Sequence, residues 1–204
     1  MGMRFGKFLE EAAEKGEVVN LVFEERLFNL VGVLQRITGP LVAANVPYEV
    51  VGGLAVLIYV EEADPTHSVL TRDVDILVRR SDLARVIAVA QEQGFEFRHV
   101  AGVDMLLYGE KAMNAIHLVF AGEKVKPSQV MPNPQVSPMR KTIKGAEVCV
   151  MPVAELVQMK LSANRDKDRV HLRSLDTAGL ITPEIESGLP EPLRVRLQHV
   201  RATE

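Results

Sequence analysis

Apolar and polar positions along the chain follow two periods, which predict helices and strands in alternation. Apolar residues at helical spacing predict helices over 3–16, 20–38 (with a further turn toward residue 45), 53–59, 81–93 and 153–164. Residues 166–175 either continue or restart that last helix. Short alternating or apolar runs bounded by glycine or proline predict strands over 48–51, 73–78, 95–100, 104–108, 115–120, 140–143 and 147–151. This order predicts an α/β protein with a mixed β-sheet flanked by helices and a C-terminal helical lobe.

The pattern also suggests three regions along the chain. Residues 1–46 are predicted as N-terminal helices, residues 47–151 as the α/β core, and residues 152–204 as the C-terminal helical region. We expect residues 61–70 and the proline-rich residues 122–139 to be loops, and the tail after residue 179 to form short helices on the surface.

Two short motifs stand out against this background. Gly52 and Gly53 interrupt an apolar run between a predicted strand and a predicted helix, so that backbone N–H groups at a helix N-terminus are available to a phosphate. Asp73 and Asp75 lie at i and i+2 on a predicted strand, where side chains share a face and Cα atoms are about 7 Å apart. Two carboxylates at that spacing suit one hard cation.

Composition narrows the class of protein. The chain has 204 residues, 47% hydrophobic and 25% charged, with a net charge of −3, which is typical of a globular protein without a global basic field for nucleic acid. A single cysteine, Cys149, permits no internal disulfide, and we expect a cytoplasmic protein. We predict no membrane span, and acidic residues at 10 and 11 argue against a signal peptide.

The motifs together resemble the nucleotidyltransferase superfamily. The resemblance lies in Gly-Gly-x-Ala at 52–55, in Arg-Asp-x-Asp at 72–75 followed by apolar residues, and in a lysine-bearing helix ending at 160–168. Within the superfamily, the chain is similar to minimal bacterial members and to AbiEii-type toxins of toxin–antitoxin systems. The similarity spans about residues 48 to 176.

The resemblance implies an activity and a set of site residues. It implies the nucleotidyltransferase fold and transfer of a nucleoside monophosphate from an NTP to RNA, protein or a small molecule. Asp73 and Asp75 would hold Mg²⁺ or Mn²⁺ and orient the triphosphate. Nucleotide-binding candidates precede or face this pair: Gly52, Gly53, Thr71, Arg72 and Lys160. A cognate antitoxin is a further implied partner.

One position departs from the family pattern. Active members usually carry a third acid on a later strand, and the matching strand at 115–120 has His117 instead. His117 could bind metal or act as a base. Alternatively, the protein is a catalytically impaired nucleotide-binding or interaction protein of the same fold. Asp104 and Glu110 are possible replacements for the acid, and His117 and His171 could together form a metal site.

Other candidate residues also have structural alternatives. Arg72 could contact phosphates or form an ion pair with Asp73 or Asp75. Lys160 could reach the site or be a surface lysine, and Asp168 could pair with Arg165 or Lys160. Basic residues at 140–144 and 165–173 could track RNA, although the interleaved acids favour a solvated face.

Overall fold

A computed structural model describes residues 28–71, 73–109, 115–137, 139–143 and 146–203. The fold is α/β, built on one seven-stranded mixed sheet with the strand order β3-β4-β5-β2-β1-β7-β6. The strands are β1 (Tyr48–Val51), β2 (Val74–Val78), β3 (Phe95–Val100), β4 (Val103–Tyr108), β5 (Ala115–Phe120), β6 (Met139–Ile143) and β7 (Ala146–Val150). Strands β2 and β5 are parallel, as are β1 and β7, and the remaining neighbours are antiparallel.

Seven helices lie within the described ranges. Helix α1 occupies residues 28–43 of the described chain. The others are α2 (Gly52–Ala63), α3 (Leu83–Glu92), α4 (Val153–Ala163), α5 (Asp166–Thr177), α6 (Pro183–Gly188) and α7 (Glu191–Ala202). Single 3₁₀ turns lie at Pro65–His67 and Arg80–Asp82.

The core lies between the central strands and the helices. The central strands are buried on both faces: Val50, Ile76 and Leu77 are fully inaccessible to solvent, as expected for strands covered on both sides. Helix α2 contacts β1 and β2 on one side and α4 and α5 on the other. It therefore joins the sheet to the C-terminal helices, and its N-terminus emerges directly from β1.

The structure adjusts several predicted boundaries. Helix α2 begins at Gly52 and continues to Ala63, so residues 61–63 are helical and not part of a loop. Asp73 precedes β2, which starts at Val74. The helix predicted from residue 81 begins at Leu83, and Ser81 lies within the 3₁₀ turn before it. The further turn predicted toward residue 45 is part of helix α1, which continues through Pro40 to residue 43.

The C-terminal region is more deeply integrated than the sequence suggests. The expectation of a surface tail is wrong for α7, which buries Leu193 and Leu197 completely against the core. Arg196 donates from Nη1 to the carbonyl oxygens of Leu161 and Ser162, each at 2.8 Å. These carbonyls end α4 and have no helical partner of their own, so α7 fixes the end of that helix.

The prediction of a helix over 3–16 lies outside the described residues, as does the first part of the one over 20–38. The division into three regions stays a prediction. Within the described part of the chain, no helix has the length and apolar character that a membrane span requires.

Candidate functional site

The Gly-Gly turn lies directly against the second aspartate. Gly52 has a φ of +71°, and a Cβ built on it would lie 2.0 Å from Asp75 Oδ2. Such a distance is far inside van der Waals contact, and the positive φ also disfavours an L side chain. The glycine is therefore required here both for the turn from β1 into α2 and for the approach of the carboxylate.

The sheet register places the key side chains in one row. Asp75 pairs with Val51 at the end of β1 on one side and with His117 of β5 on the other. His117 in turn pairs with Met105 of β4. Because paired residues in neighbouring strands point to the same face, Asp75, His117 and Met105 project from the same side of the sheet.

His117 binds Asp75 directly. Its Nδ1 lies 3.1 Å from Asp75 Oδ1, and both side chains are partly buried. The hydrogen bond to this carboxylate raises the pKa of His117 above its usual value. The Nδ1–H donates to the carboxylate, so Nε2 is the ring nitrogen left for another partner.

Lys160 is buried and does not have the surface position usual for a helix lysine. Its side chain is 3% exposed, and Nζ donates to Asp168 Oδ1 at 3.2 Å and to His171 Nδ1 at 3.0 Å. Desolvation lowers the pKa of Lys160. Burial also lowers the pKa of His171, to about 4, so its imidazole is neutral and Nδ1 accepts the hydrogen bond.

Arg165 completes this cluster by binding Asp168 with three donors. Its Nε lies 2.6 Å from Oδ2, its Nη2 lies 3.1 Å from Oδ1, and its backbone N lies 3.2 Å from Oδ2. These bonds lower the pKa of Asp168 despite its burial. Both pairings suggested for Asp168 are therefore present.

A helix break brings the cluster together. Helix α4 ends at Ala163, its C-cap residue Asn164 has a left-handed φ of +50°, and α5 starts at Asp166. A break there removes the face that Lys160, Asp168 and His171 would share on an unbroken helix. The three residues still meet, because the tight turn folds α5 back so that Asp168 and His171 contact Lys160.

The cluster also supports the second glycine. A Cβ on Gly53 would lie 2.5 Å from Thr71 Oγ1 and 3.2 Å from His171 Cε1. Thr71 is buried, and its hydroxyl contacts the backbone of Asp73 at 3.4 Å. Gly53 and Thr71 are thus packed together at the start of α2, beside the aspartates.

A cavity of about 370 Å³ opens in front of these groups. The residues already described that line it are Val51, Gly52, Asp73, Asp75, Met105, His117, Lys160, Arg165 and Asp168. Asp73 and Asp75 therefore face one space, which four cationic side chains also line: Lys126, Lys160, Arg165 and Lys167. A volume of this size is typical of a small-molecule or cofactor site.

Sequence reasoning underrated two of these cations. In the sequence, Arg165 and Lys167 belong to a basic segment that suggests only an RNA track or a solvated face, yet both line the cavity, and Lys167 Nζ lies 3.8 Å from Asp73 Oδ2. No local sequence signal identifies them, because their place at the cavity depends on the left-handed turn at Asn164 that folds α5 back onto α4. Arg72 lies outside the described residues, as does Glu110.

The remaining candidates have other partners. Asp104 binds Arg80 and His99, so it is occupied away from the aspartate pair. His117 and His171 likewise have separate partners, namely Asp75 for the first and Lys160 for the second. Nowhere in the described ranges do three or more His, Cys, Asp or Glu residues group in a way that could hold a metal ion.

The comparisons with known proteins agree on the class of fold, which is the nucleotidyltransferase fold. No family model and no curated protein matches the sequence. Among solved structures, the antibiotic-resistance factor ANT(2'')-Ia in solution is 13% identical with a TM-score of 0.54, over 87% of this chain and 93% of that one.

Two further solved structures have the same fold. An antigenic nucleotidyltransferase-like protein from Paracoccidioides brasiliensis is 14% identical, with a TM-score of 0.54 over 88% of both chains. ANT(2'')-Ia in complex with adenylyl-2''-tobramycin is 14% identical, with a TM-score of 0.53 over 84% of this chain and 97% of that one. At these identities the likeness establishes the fold.

Proposed function

We propose that the protein is a metal-dependent nucleotidyltransferase. The observation that carries the proposal is the close approach of Asp75 to Gly52 at the start of α2. Asp75 packs against Gly52, and Asp73 and Asp75 face one cavity with Arg165 and Lys167. A phosphate-binding helix N-terminus beside two carboxylates and two cations is the arrangement expected for a metal-bound triphosphate.

The donor set at the cavity fits a hard divalent cation. Asp73 and Asp75 supply carboxylate oxygens, and Mg²⁺ in such sites commonly takes only one or two protein carboxylates, with substrate phosphates and water as the other ligands. When bound, Mg²⁺ or Mn²⁺ would neutralise charge that develops on the phosphates.

The triphosphate would be held mainly by backbone and by exposed cations. The free N–H groups at the start of α2, at Gly52 and Gly53, provide a positive end for the phosphates. Arg165 and Lys167 are the accessible cations that interact with the aspartates. Lys160 contributes indirectly, because its ammonium is already bound to Asp168 and His171. Thr71 packs against Gly53 and so supports the turn.

The proposed reaction balances as a simple displacement. An acceptor hydroxyl oxygen bonds to the α-phosphorus, the bond from the α-phosphorus to its bridging oxygen breaks, and pyrophosphate leaves. The hydroxyl proton passes to Nε2 of His117, whose Nδ1 is held by Asp75. In this role His117 takes the place that an acid has in the family pattern.

A second candidate function is nucleotide binding without catalysis. The observation that favours it is His117 itself, because the hydrogen bond to Asp75 occupies a carboxylate oxygen that an intact acid triad would leave to the metal. In that case the fold would serve binding or assembly, for example with a cognate antitoxin of a toxin–antitoxin pair. By contrast, the first function requires an acceptor, which can be RNA, protein or a small molecule.

Transfer of label distinguishes these functions. The protein is incubated with Mg²⁺ or Mn²⁺, a mixture of tRNA and cell protein or a set of small alcohols, and each NTP labelled at the α- or the γ-phosphate. Label from the α-phosphate on an acceptor, with γ-label released as pyrophosphate, is the expected result. Transfer of γ-label would indicate a phosphotransferase and overturn the proposal. NTP binding without any transfer would favour the second candidate.

A further inference from the structure

The cavity changes character along its length. Asp73 and Asp75 lie at β2, whereas the lining residues on β3 and β4 are apolar: Val100, Val103 and Met105, here called the apolar part. Further apolar lining residues come from β5, the 122–130 loop and α4, namely Val119, Val125, Leu156 and Met159. Met105 is the register partner of His117, so the apolar part begins one strand beyond the histidine.

Three of these apolar side chains are exposed to solvent. Val100 is 52% exposed, Val103 is 40% exposed and Val125 is 59% exposed, although all three border a cavity with buried walls. Solvent-exposed apolar side chains are ordinary when scattered, but a group of them at the mouth of a polar site indicates a ligand with an apolar surface.

The loop that carries Val125 is held in place. Gln129 is buried, and its Oε1 accepts hydrogen bonds from the backbone N–H groups of Val125 and Lys126, the latter at 3.0 Å. Asn133 donates to the carbonyl of Phe120 at 3.0 Å. These hydrogen bonds hold the loop where Val125 and Lys126 form part of the cavity wall.

Among the described residues, those that line the cavity from β3, β4 and the 122–130 loop include no carboxylate that could bind a cationic ligand. The carboxylates that line the cavity in the described chain are Asp73, Asp75 and Asp168. The first two lie at the polar end, and Asp168 is saturated by Lys160 and Arg165. The charged side chain beside the apolar wall is Lys126, so a polyamine would gain no ion pair there.

The strand order gives the direction of attack. The Gly-Gly turn lies at the end of β1, and the sheet then runs through Asp75 on β2, His117 on β5 and Met105 on β4. Attacking and leaving oxygens are roughly in line at phosphorus. If pyrophosphate leaves toward the Gly-Gly turn, the attacking oxygen arrives from the side of β5 and β4, which is the apolar side.

We infer that the acceptor is a small hydroxyl compound with an apolar body and no positive charge, bound against β3, β4 and the 122–130 loop. The inference rests on the proposed function, because it assigns the acceptor class for that same site. It separates this protein from the structural neighbour whose complex contains an adenylylated tobramycin.

The inference is tested with 2-naphthol, a fluorescent hydroxyl compound of this class. Its affinity for the full chain is measured by fluorescence titration with and without Mg²⁺ and ATP, and tobramycin is the polyamine control. The variant Val103→Glu places a charge in the wall. The matched control is Val195→Glu, since Val195 on α7 is also exposed, at 54%, and is not among the residues that line the cavity in the described chain.

We expect 2-naphthol to bind, Val103→Glu to weaken it at least tenfold, and Val195→Glu to leave it unchanged. Tobramycin should not displace it, and adenylyl-2-naphthol should form with ATP. The inference is overturned if 2-naphthol does not bind, if both variants bind it alike, or if only tobramycin, tRNA or protein receives label. A separate measurement of ATP binding distinguishes the two failures. A protein that binds 2-naphthol but does not bind ATP contradicts the proposed function. A protein that binds ATP but does not bind 2-naphthol contradicts the acceptor class alone.

Discussion

At the scale of single residues, the site depends on close packing between backbone and carboxylate. Gly52 and Asp75 come from different parts of the chain, yet a single added carbon at Gly52 would overlap Asp75 Oδ2. Gly53 meets Thr71 in the same way. The two glycines thus determine where the acids lie relative to the N-terminus of α2, which is the geometry that metal-bound phosphate would need.

Gly52→Ala is expected to reduce transfer activity much more strongly than it reduces the stability of the fold. The added Cβ must push the Asp75 carboxylate aside, and a displacement of about 1 Å at a reacting centre costs roughly 100-fold in rate. The positive φ adds on the order of 1–2 kcal/mol of strain. Transfer activity and urea unfolding measure the two effects.

Gly179→Ala is the control for that strain. Gly179 has a φ of +72°, and no neighbouring atom lies within 4 Å of the place that an added Cβ would occupy. Alanine there should therefore reduce stability similarly and leave transfer unchanged. Equal activity of Gly52→Ala and Gly179→Ala would show that the carboxylate position is not critical.

At the scale of elements, the α4–α5 turn assembles a buried charge cluster. Lys160 on α4 meets Asp168 and His171 on α5, and Arg165 in the turn closes the cluster over Asp168. Helix α7 holds the end of α4 through Arg196. The C-terminal helices therefore position Arg165 and Lys167 at the cavity.

The two sides of this cluster are expected to respond unequally to mutation. Lys160→Met leaves Asp168 bound by three Arg165 donors, so the cost should be about 1–2 kcal/mol. Asp168→Asn leaves a buried ammonium without its counter-ion, and the cost should be about 3–5 kcal/mol. Equilibrium urea unfolding of both variants measures the difference; a larger loss for Lys160→Met would contradict the assignment of Arg165.

Sequence reasoning could predict most of the elements but not the way α4 meets α5. The alternating runs on β3, β4 and β5 and the apolar period of α3 are local signals, and they predict those elements within a residue or two. The burial of Lys160 depends on the left-handed turn at Asn164, which brings α5 back onto α4. No local pattern specifies that return, so the sequence alone does not identify Arg165 and Lys167 as part of the site.

At the scale of the whole molecule, one buried acidic side chain, that of Glu49, is not among the residues that line the cavity. Glu49 on β1 is fully buried, and its Oε1 accepts from the Ser137 N–H at 2.7 Å while Oε2 has no partner among the described residues. Burial, with a smaller contribution from repulsion by Glu155, raises the pKa of Glu49 to about 7. Glu49 thus ties the end of the 121–137 segment to the central sheet.

This group gives stability a defined dependence on pH. The folded protein favours protonated Glu49, so the free energy of unfolding should fall as pH rises from the ordinary value of 4.5 to about 7. Glu49→Gln removes that loss. We expect its advantage over the unaltered protein to be near zero at pH 4 and to grow to on the order of 3 kcal/mol at pH 8.

Unfolding in urea at a series of pH values measures this effect, with Glu92→Gln at the exposed end of α3 as the control. The control should match the unaltered protein at each pH. If Glu49→Gln were less stable at pH 8 than the unaltered protein, Glu49 would be charged and favourable in the folded state.

The central claim is that Asp73 and Asp75 hold a metal-bound NTP for transfer. The most direct measurement is transfer of α-labelled NTP by the unaltered protein and by an Asp73→Asn/Asp75→Asn variant, with Mg²⁺ or Mn²⁺, circular dichroism confirming that both are folded. The account predicts label on an acceptor with the unaltered protein only, at least about 1,000-fold above the variant on the scale typical of lost catalytic electrostatics. Equal transfer by the folded variant would contradict it.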